Sequence, residues 1–268
     1  MDITGRSILL TGGGSGIGRS LALGLAPKDV RLVLVGRHAA PLEEVAEQVR
    51  AAGSQAAVVT ADLSQPGVPA DVVAQATAAF GGIDVLINNA GNVRAGRIDS
   101  ITEDEITAQL QLNLTAPILL TRAALPALRA SGNGLVVMMS SAIGLVAMPF
   151  YGTYAATKAG IAQFAEALRR ELHGEGVGVL TVYPGATSTP MMSSSDAGAD
   201  LGFDYESPDE VASAMLAAIA DDEISVVRGG SERSAMIAAN RDDPASVDEK
   251  LAGMKADLER AVSEHSSI

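Results

Sequence analysis

Seven short apolar runs, separated by longer segments of helical periodicity, most narrow the folds open to this chain. They read SILLT (7–11), RLVLV (31–35), AAVVT (56–60), DVLIN (84–88), LVVMMS (135–140), VGVLTVY (177–183) and ISVVR (224–228). Each run is continuous rather than alternating, the pattern of a strand buried on both faces of a parallel sheet. Helical patterns fill about 16–26, 40–52, 66–80, 103–130, 154–173 and 208–220. Two of them open on a capping box, Thr102-Glu-Asp-Glu105 and Ser207-Pro-Asp-Glu210, in which side chain and backbone satisfy each other's free N–H groups. Pro117 falls inside the long fourth helix and should bend it. Strand–helix alternation of this kind predicts an α/β protein with a doubly wound parallel sheet of about seven strands.

Composition excludes several chemistries. The 268 residues suit one large domain, and 47% are hydrophobic, so a full core can be built. Aromatics are 3% and Trp is absent, so that core rests on Ala, Val, Leu, Ile and Met. With no Cys there is no disulfide, thiolate metal site or Cys nucleophile. His38, His173 and His265 lack ligand spacing, so no metal is expected. A net charge of −13 argues against nucleic acid and anionic membrane as partners. Residues 191–268 carry 17 Asp/Glu against 6 Lys/Arg, which reads as a solubilising surface or a cation-attracting lid. The apolar run at 7–11 is too short for a leader, and no run approaches the ~20 residues of a membrane span. The expectation is a soluble, cytoplasmic protein.

Three clusters could carry chemistry. TGGGSGIG (11–18) lies between the first strand and the first helix. Gly12, Gly16 and Gly18 allow a tight turn and close backbone approach, and the helix N-terminus offers N–H groups and a positive dipole end to a pyrophosphate. The spacing is G-x-x-x-G-x-G rather than G-x-G-x-x-G, and a glycine-rich turn alone can be a simple flexible loop. Tyr154 and Lys158 stand four apart on a helix, which puts a phenol and an ammonium on one face. A cation beside a phenol favours the phenolate and brings it toward useful acid–base chemistry, although such a pair can equally be an ordinary surface contact. Ser140-Ser141 closes the fifth strand, where open α/β sheets bind ligands and where a hydroxyl can also merely make a turn.

Taken together, in this order, these segments resemble the short-chain dehydrogenase/reductase family over about residues 5–230. TGGGSGIG is similar to the family's TGxxxGxG loop, Asp62-Leu63 falls where it contacts adenine, and Asn88-Asn89-Ala90-Gly91 is similar to its NNAG motif. Asn113 matches its fourth-helix Asn, and Ser141, Tyr154 and Lys158 match its Ser and YxxxK set. Pro184-Gly185 with Thr189 resembles its PG-x-x-x-T segment. The C-terminal departure is plain: ISVVRGG stands where the family carries a longer pattern, and nearly forty residues follow. That tail makes the chain look more like the bacterial oxidoreductases grouped with DltE than like fatty-acid ketoreductases.

The resemblance implies a Rossmann-type domain over 1–230, a lid over about 186–206, and a helical extension over 231–268. It further implies hydride transfer between a nicotinamide and a small carbonyl/alcohol substrate, in a homodimer or homotetramer. Tyr154 would act as acid/base, Ser141 would hold the carbonyl oxygen, Lys158 would lower the Tyr154 pKa and bind ribose, and Asn113 would hold a water leading to solvent. Gly12, Ser15, Gly16, Ile17, Gly18, Arg37, Asp62, Leu63, Asn89, Ala90, Gly91, Tyr154, Lys158, Pro184, Gly185, Thr187 and Thr189 would line the cofactor. NADP(H) is favoured over NAD(H), because Gly36 stands where an NAD-preferring relative has an acid and Arg37 can pair with a 2′-phosphate. An isomerase or dehydratase on the same scaffold, and a non-catalytic NADP-binding sensor, are the alternatives. Phe150, Tyr151, Met191, Met192, Phe203 and Tyr205 are candidate walls of an apolar pocket. In the tail, Val247, Leu251, Met254, Leu258 and Val262 form one apolar stripe after an Asp243-Pro244 cap, which predicts packing on this domain or a neighbouring subunit.

Overall fold

A computed structural model describes residues 1–268. The chain runs β1 (Ser7–Thr11), α1 (Gly16–Leu25), β2 (Arg31–Gly36), α2 (Ala39–Ala51), β3 (Gln55–Thr60), α3 (Val68–Phe80), β4 (Val85–Asn88), α4 (Glu103–Leu110) and α5 (Ala116–Ala130). It continues through β5 (Gly134–Met139), α6 (Gly152–Glu171), β6 (Val177–Tyr183), α7 (Pro208–Ala220), β7 (Ser225–Val227), α8 (Gly230–Asp242), α9 (Pro244–Ala252) and α10 (Lys255–Val262). The strands form one parallel sheet in the order β3-β2-β1-β4-β5-β6-β7. The order reverses between β1 and β4, which opens a crevice at the carboxyl ends of those strands.

Alternate residues of the strands serve opposite layers, except in the edge strand β7, where Ser225 and Val227 are exposed and the expected burial on both faces is not met. Ile8, Leu10, Leu32, Leu34, Val137 and Leu180 pack under α1, α2 and α7. Leu9, Val33, Val35, Leu86, Val136 and Val179 pack under α3, α5 and α6. Apolar residues on both faces of a strand are what make each run continuous in the sequence. Both capping boxes form, at Thr102 with Glu105 and at Ser207 with Glu210.

Two expectations need correction. The fourth helical stretch is not one bent helix: α4 and α5 are joined by a π-helical turn, Gln111–Thr115, which contains Asn113. Pro117 sits in the first turn of α5, where its missing N–H cannot close an α-turn onto the Asn113 carbonyl, so the wider turn precedes it. The tail is three helices rather than one. Pro244 starts α9, Gly253 and Met254 break the stripe, and α8 precedes it, with no buried residue to mark it in the sequence. The stripe still packs on its own chain. Val247 and Leu251 cluster with Val146, while Leu258 and Val262 cluster with Val93, Ile143 and Tyr151.

Candidate active site

The glycine turn is fastened to the end of β4. Thr11 Oγ1 accepts the N–H groups of Asn89 and Ala90, each at 3.0 Å, and Asn89 Nδ2 donates to the Thr11 carbonyl at 2.9 Å. Gly18 has no room for a side chain, because a Cβ would lie 2.1 Å from the Gly12 carbonyl oxygen. Gly16 has φ +50°, and a Cβ there would press on the Thr189 side chain at 3.0 Å. Ser15 precedes α1 without capping it through its side chain.

Two adjoining cavities run along this crevice. One, of about 190 Å³, is lined by Gly12, Ser15, Gly16, Ile17, Asn89, Ala90, Gly91, Ser141, Tyr154, Lys158, Pro184, Gly185, Thr187 and Thr189. The other, of about 200 Å³, shares Gly12, Ser15, Ala90 and Gly91 and adds Gly36, Arg37, His38, Asp62 and Leu63. Gly18 sits behind them as packing, and Asn113 stands behind Gly91. Arg37 is exposed and has no ion pair. Asp62 is held low first by the Ser64 hydroxyl, with Gln65 and the nearby charge of Arg37 also contributing.

The hydroxyl, phenol and ammonium are brought together by the approach of β5 to α6. Ser140 Oγ donates to the Lys158 carbonyl at 2.7 Å. Gly144 allows the turn after β5 to lie against α6, where a Cβ would meet the Lys158 carbonyl carbon at 2.9 Å. Ser141 Oγ accepts from the Ile143 N–H at 3.4 Å and makes only a long contact, 3.5 Å, to the Pro184 carbonyl. Lys158 is buried, its Nζ donating to the Met139 carbonyl at 2.9 Å and lying 5.6 Å from the centre of the Tyr154 ring.

Burial dominates the electrostatics of Tyr154 and Lys158. Burial pushes the Tyr154 phenol up to about 12, with the Ser141 hydroxyl opposing it, and the same burial pulls Lys158 down to about 8. Both charged forms are penalised by the same dry surroundings. The Asn113 side chain is fully engaged by its neighbours. Its Oδ1 accepts the Asn92 N–H at 2.9 Å, while Nδ2 donates to the Asn92 carbonyl at 2.8 Å and contacts Thr157 Oγ1 at 3.3 Å. The side chain clamps the segment after Gly91.

A third, small cavity of about 90 Å³ opens beyond Ser141 and Tyr154. Tyr151, Met191, Met192 and Phe203 line it as the sequence suggested. Phe150 instead turns the chain into α6 with φ +69°, and Tyr205 lines an outer space between the segment before α7 and the tail. Two contributors were not anticipated. His265, from the far end of the tail, forms part of the wall. Glu206 accepts from the Gly185 N–H at 3.4 Å and pairs with Arg228 at 2.8 Å, which ties the segment after β6 to the end of β7. Neither carries a local signal, since a lone His and a Glu–Arg pair distant in sequence are common anywhere.

Comparison with known proteins agrees with this architecture. The family model described as short chain dehydrogenase matches residues 6–200. The chain belongs to the short-chain dehydrogenase family. It is 33% identical over 252 residues to a protein named ketoacyl reductase HetN from Nostoc, covering 92% of this chain and 88% of that one. It is 37% identical over 188 residues to dehydrogenase/reductase SDR family member 7B from Bos taurus, covering 68% of this chain and 58% of the other. Among solved structures, a short chain dehydrogenase from Burkholderia cenocepacia in complex with NADP has a TM-score of 0.75 and 32% identity, covering 82% of this chain and 91% of that one. No helix here is long and apolar enough to cross a membrane.

Proposed function

We propose that this short-chain dehydrogenase transfers hydride reversibly between NADP(H) and the carbonyl/alcohol pair of an apolar small molecule. The observation that carries the reading is that Ser141 and Tyr154 belong at once to the wall of the long crevice and to the wall of the small apolar cavity. A group bound in the first meets a substrate bound in the second at a hydroxyl and a phenol.

The crevice fits a dinucleotide. Its floor is the glycine turn, where Gly12 and Gly16 have positive φ, and a Cβ at Gly91 would lie 3.1 Å from Asn113 Oδ1 and 3.6 Å from Lys158 Nζ. The α1 N-terminus would hold the pyrophosphate, Asp62 and Leu63 the adenine, and Lys158 the ribose hydroxyls. Arg37, which has no ion pair and stands beside Gly36 in the wall of this cavity, supports selection of a 2′-phosphate. The nicotinamide, when bound, supplies or accepts the hydride. The NADP complex of the Burkholderia cenocepacia relative supports the same cofactor.

In reduction, Ser141 would hold the carbonyl oxygen, since its present contact to Pro184 is long and easily exchanged. Tyr154 would give that oxygen its proton. A phenol held up to about 12 stays protonated through the neutral range, which is the form an acid needs. Asn113 would act by positioning, through its grip on Asn92, so that any water it holds would sit on its main chain. Following NADPH absorbance with a panel of apolar ketones and aldehydes tests the reading. Oxidation of NADPH dependent on a carbonyl compound is the expected result, whereas cofactor binding without turnover on any of them would favour a sensor.

A further inference from the structure

The imidazole of His265 is fully buried in the wall of the catalytic cavity, and only one of its nitrogens has a partner. Nδ1 lies 3.0 Å from Ser194 Oγ, while Nε2 has no hydrogen-bond partner. One tautomer satisfies every protein contact around Ser194. Its Oγ accepts the Ser266 N–H at 3.1 Å and has the Ser266 carbonyl at 3.1 Å for its own proton. With that proton on the carbonyl, Nδ1–H donates to Oγ and every contact is satisfied. With it on Nδ1, the carbonyl loses its partner. The satisfied arrangement leaves Nε2 as a bare acceptor.

The ring is fixed in place from behind. Ala95 N–H donates to the His265 carbonyl at 2.9 Å, and Ser267 N–H donates to the Val93 carbonyl at 2.9 Å. Burial, with Arg94 nearby, pulls the imidazole down to about 4, so it is neutral at ordinary pH. Beside it, at 6.0 Å between ring centres and edge-on at 65°, Tyr151 is also buried, and its hydroxyl makes no well-formed hydrogen bond, although the Ser195 hydroxyl lies near enough to ease the burial of its phenolate. A buried imidazole nitrogen without a partner, next to the ring of Tyr151 and in a wall with Val93, Ile143, Met191 and Phe203, is unusual in a folded interior and calls for an explanation.

We infer that His265, with Tyr151, forms a specificity site for a substrate hydroxyl, so that the substrate is an apolar hydroxyketone or, in the oxidative direction, the corresponding diol. This rests on the oxidoreductase reading of the adjoining cleft. A hydroxyl donates to Nε2 and accepts from the Tyr151 phenol, which no single-role group does. A carboxylate has no proton for Nε2, and an ammonium would enter an apolar wall without a counter-charge.

The test uses the full-length chain with NADP(H), labelled with 15N-histidine, and the His265 signals are assigned by comparison with His265→Gln. The expected resting state is the Nδ1–H tautomer. Addition of hydroxyacetophenones should move the Nε2 resonance, whereas acetophenone should not. In turnover, the kcat/KM ratio of the preferred hydroxyacetophenone over acetophenone should fall roughly tenfold to hundredfold in His265→Phe, the size expected for one buried hydrogen bond. The loss should lie in KM, and His265→Gln, which keeps an acceptor, should restore much of it. An Nε2–H or charged imidazole, equal responses to all the ketones, no response to any hydroxyacetophenone, or an unchanged ratio in His265→Phe would each overturn the inference. Failure of the oxidoreductase reading shows separately, as absence of NADPH oxidation with every carbonyl compound while the Nε2 resonance still responds to the hydroxyl.

Discussion

Tyr154 and Lys158 share one turn of α6 and one dry environment, which acts on them in opposite senses, raising the phenol to about 12 and lowering the ammonium to about 8. Removing only the phenolic proton donor is therefore the sharpest test of chemistry. Tyr154→Phe should reduce turnover by at least ~10²-fold, with NADPH affinity nearly unchanged in a fluorescence titration; near-normal turnover would exclude the acid role. Arg37 tests the cofactor in the same way. Because it is exposed, Arg37→Ala should weaken NADPH roughly tenfold, the lower end for a charge-assisted contact, and leave NADH almost untouched. His265 is tested by stability. Its imidazole titrates near 6.5 when unfolded and near 4 when folded, so between those values the unfolded chain takes up the proton. Stability should then fall as pH drops from about 6.5 to about 4, by about 3 kcal/mol from this residue. Urea unfolding of the parent chain and His265→Gln across that range should show their difference shrinking with acid; a constant difference would mean that the ring is not held neutral by burial. The residues of the YxxxK set were legible because they are close in sequence and chemically distinctive. His265 was not, because a lone imidazole has meaning only once the fold carries it to a distant wall.

At the scale of elements, the strands were legible and the irregular turns were not. Burial on both faces gives a central strand an unbroken apolar signature, and each of the seven runs is a strand of the sheet. The π turn at Gln111–Thr115 leaves no such signature, because one extra residue per turn barely disturbs the apolar pattern, and Pro117 marks only where regular hydrogen bonding resumes. Yet this turn is what delivers Asn113 to Asn92. Asn113→Ala would leave a buried N–H and a buried carbonyl of Asn92 without their partner, at a cost of about 1–3 kcal/mol each before water enters. The expected result is a lower urea midpoint together with reduced kcat, since the segment from Gly91 to Asn92 flanks Lys158. A loss of activity with an unchanged midpoint would point instead to a direct role in proton transfer.

For the whole molecule, the tail joins the sheet domain to its own active site. Arg94 donates to the Ser263 carbonyl at 3.0 Å, Arg97 pairs with Glu259 at 3.1 Å, and Arg94 and Ser266 form an antiparallel bridge. Val247, Leu251, Leu258 and Val262 are all buried against the same chain. Each such side chain contributes at most ~1.5–3 kcal/mol, and ordering the tail offsets part of that gain. Since ~1 kcal/mol moves the melting temperature of a protein this size by ~2–4 °C, deletion of residues 243–268 should lower Tm by roughly 5 °C or more. The same deletion removes His265 and uncovers Tyr151, Val93 and Ile143, so turnover should fall further than the loss of stability alone explains. Light scattering on both chains separates the two ways in which the stripe could be used. The sheet domain is expected to assemble as a homodimer or homotetramer, and a tail that packs only on its own subunit leaves the number of subunits unchanged. Fewer subunits after deletion would mean that α9 and α10 also bridge subunits, and an unchanged Tm would mean that the stripe contributes little net burial energy.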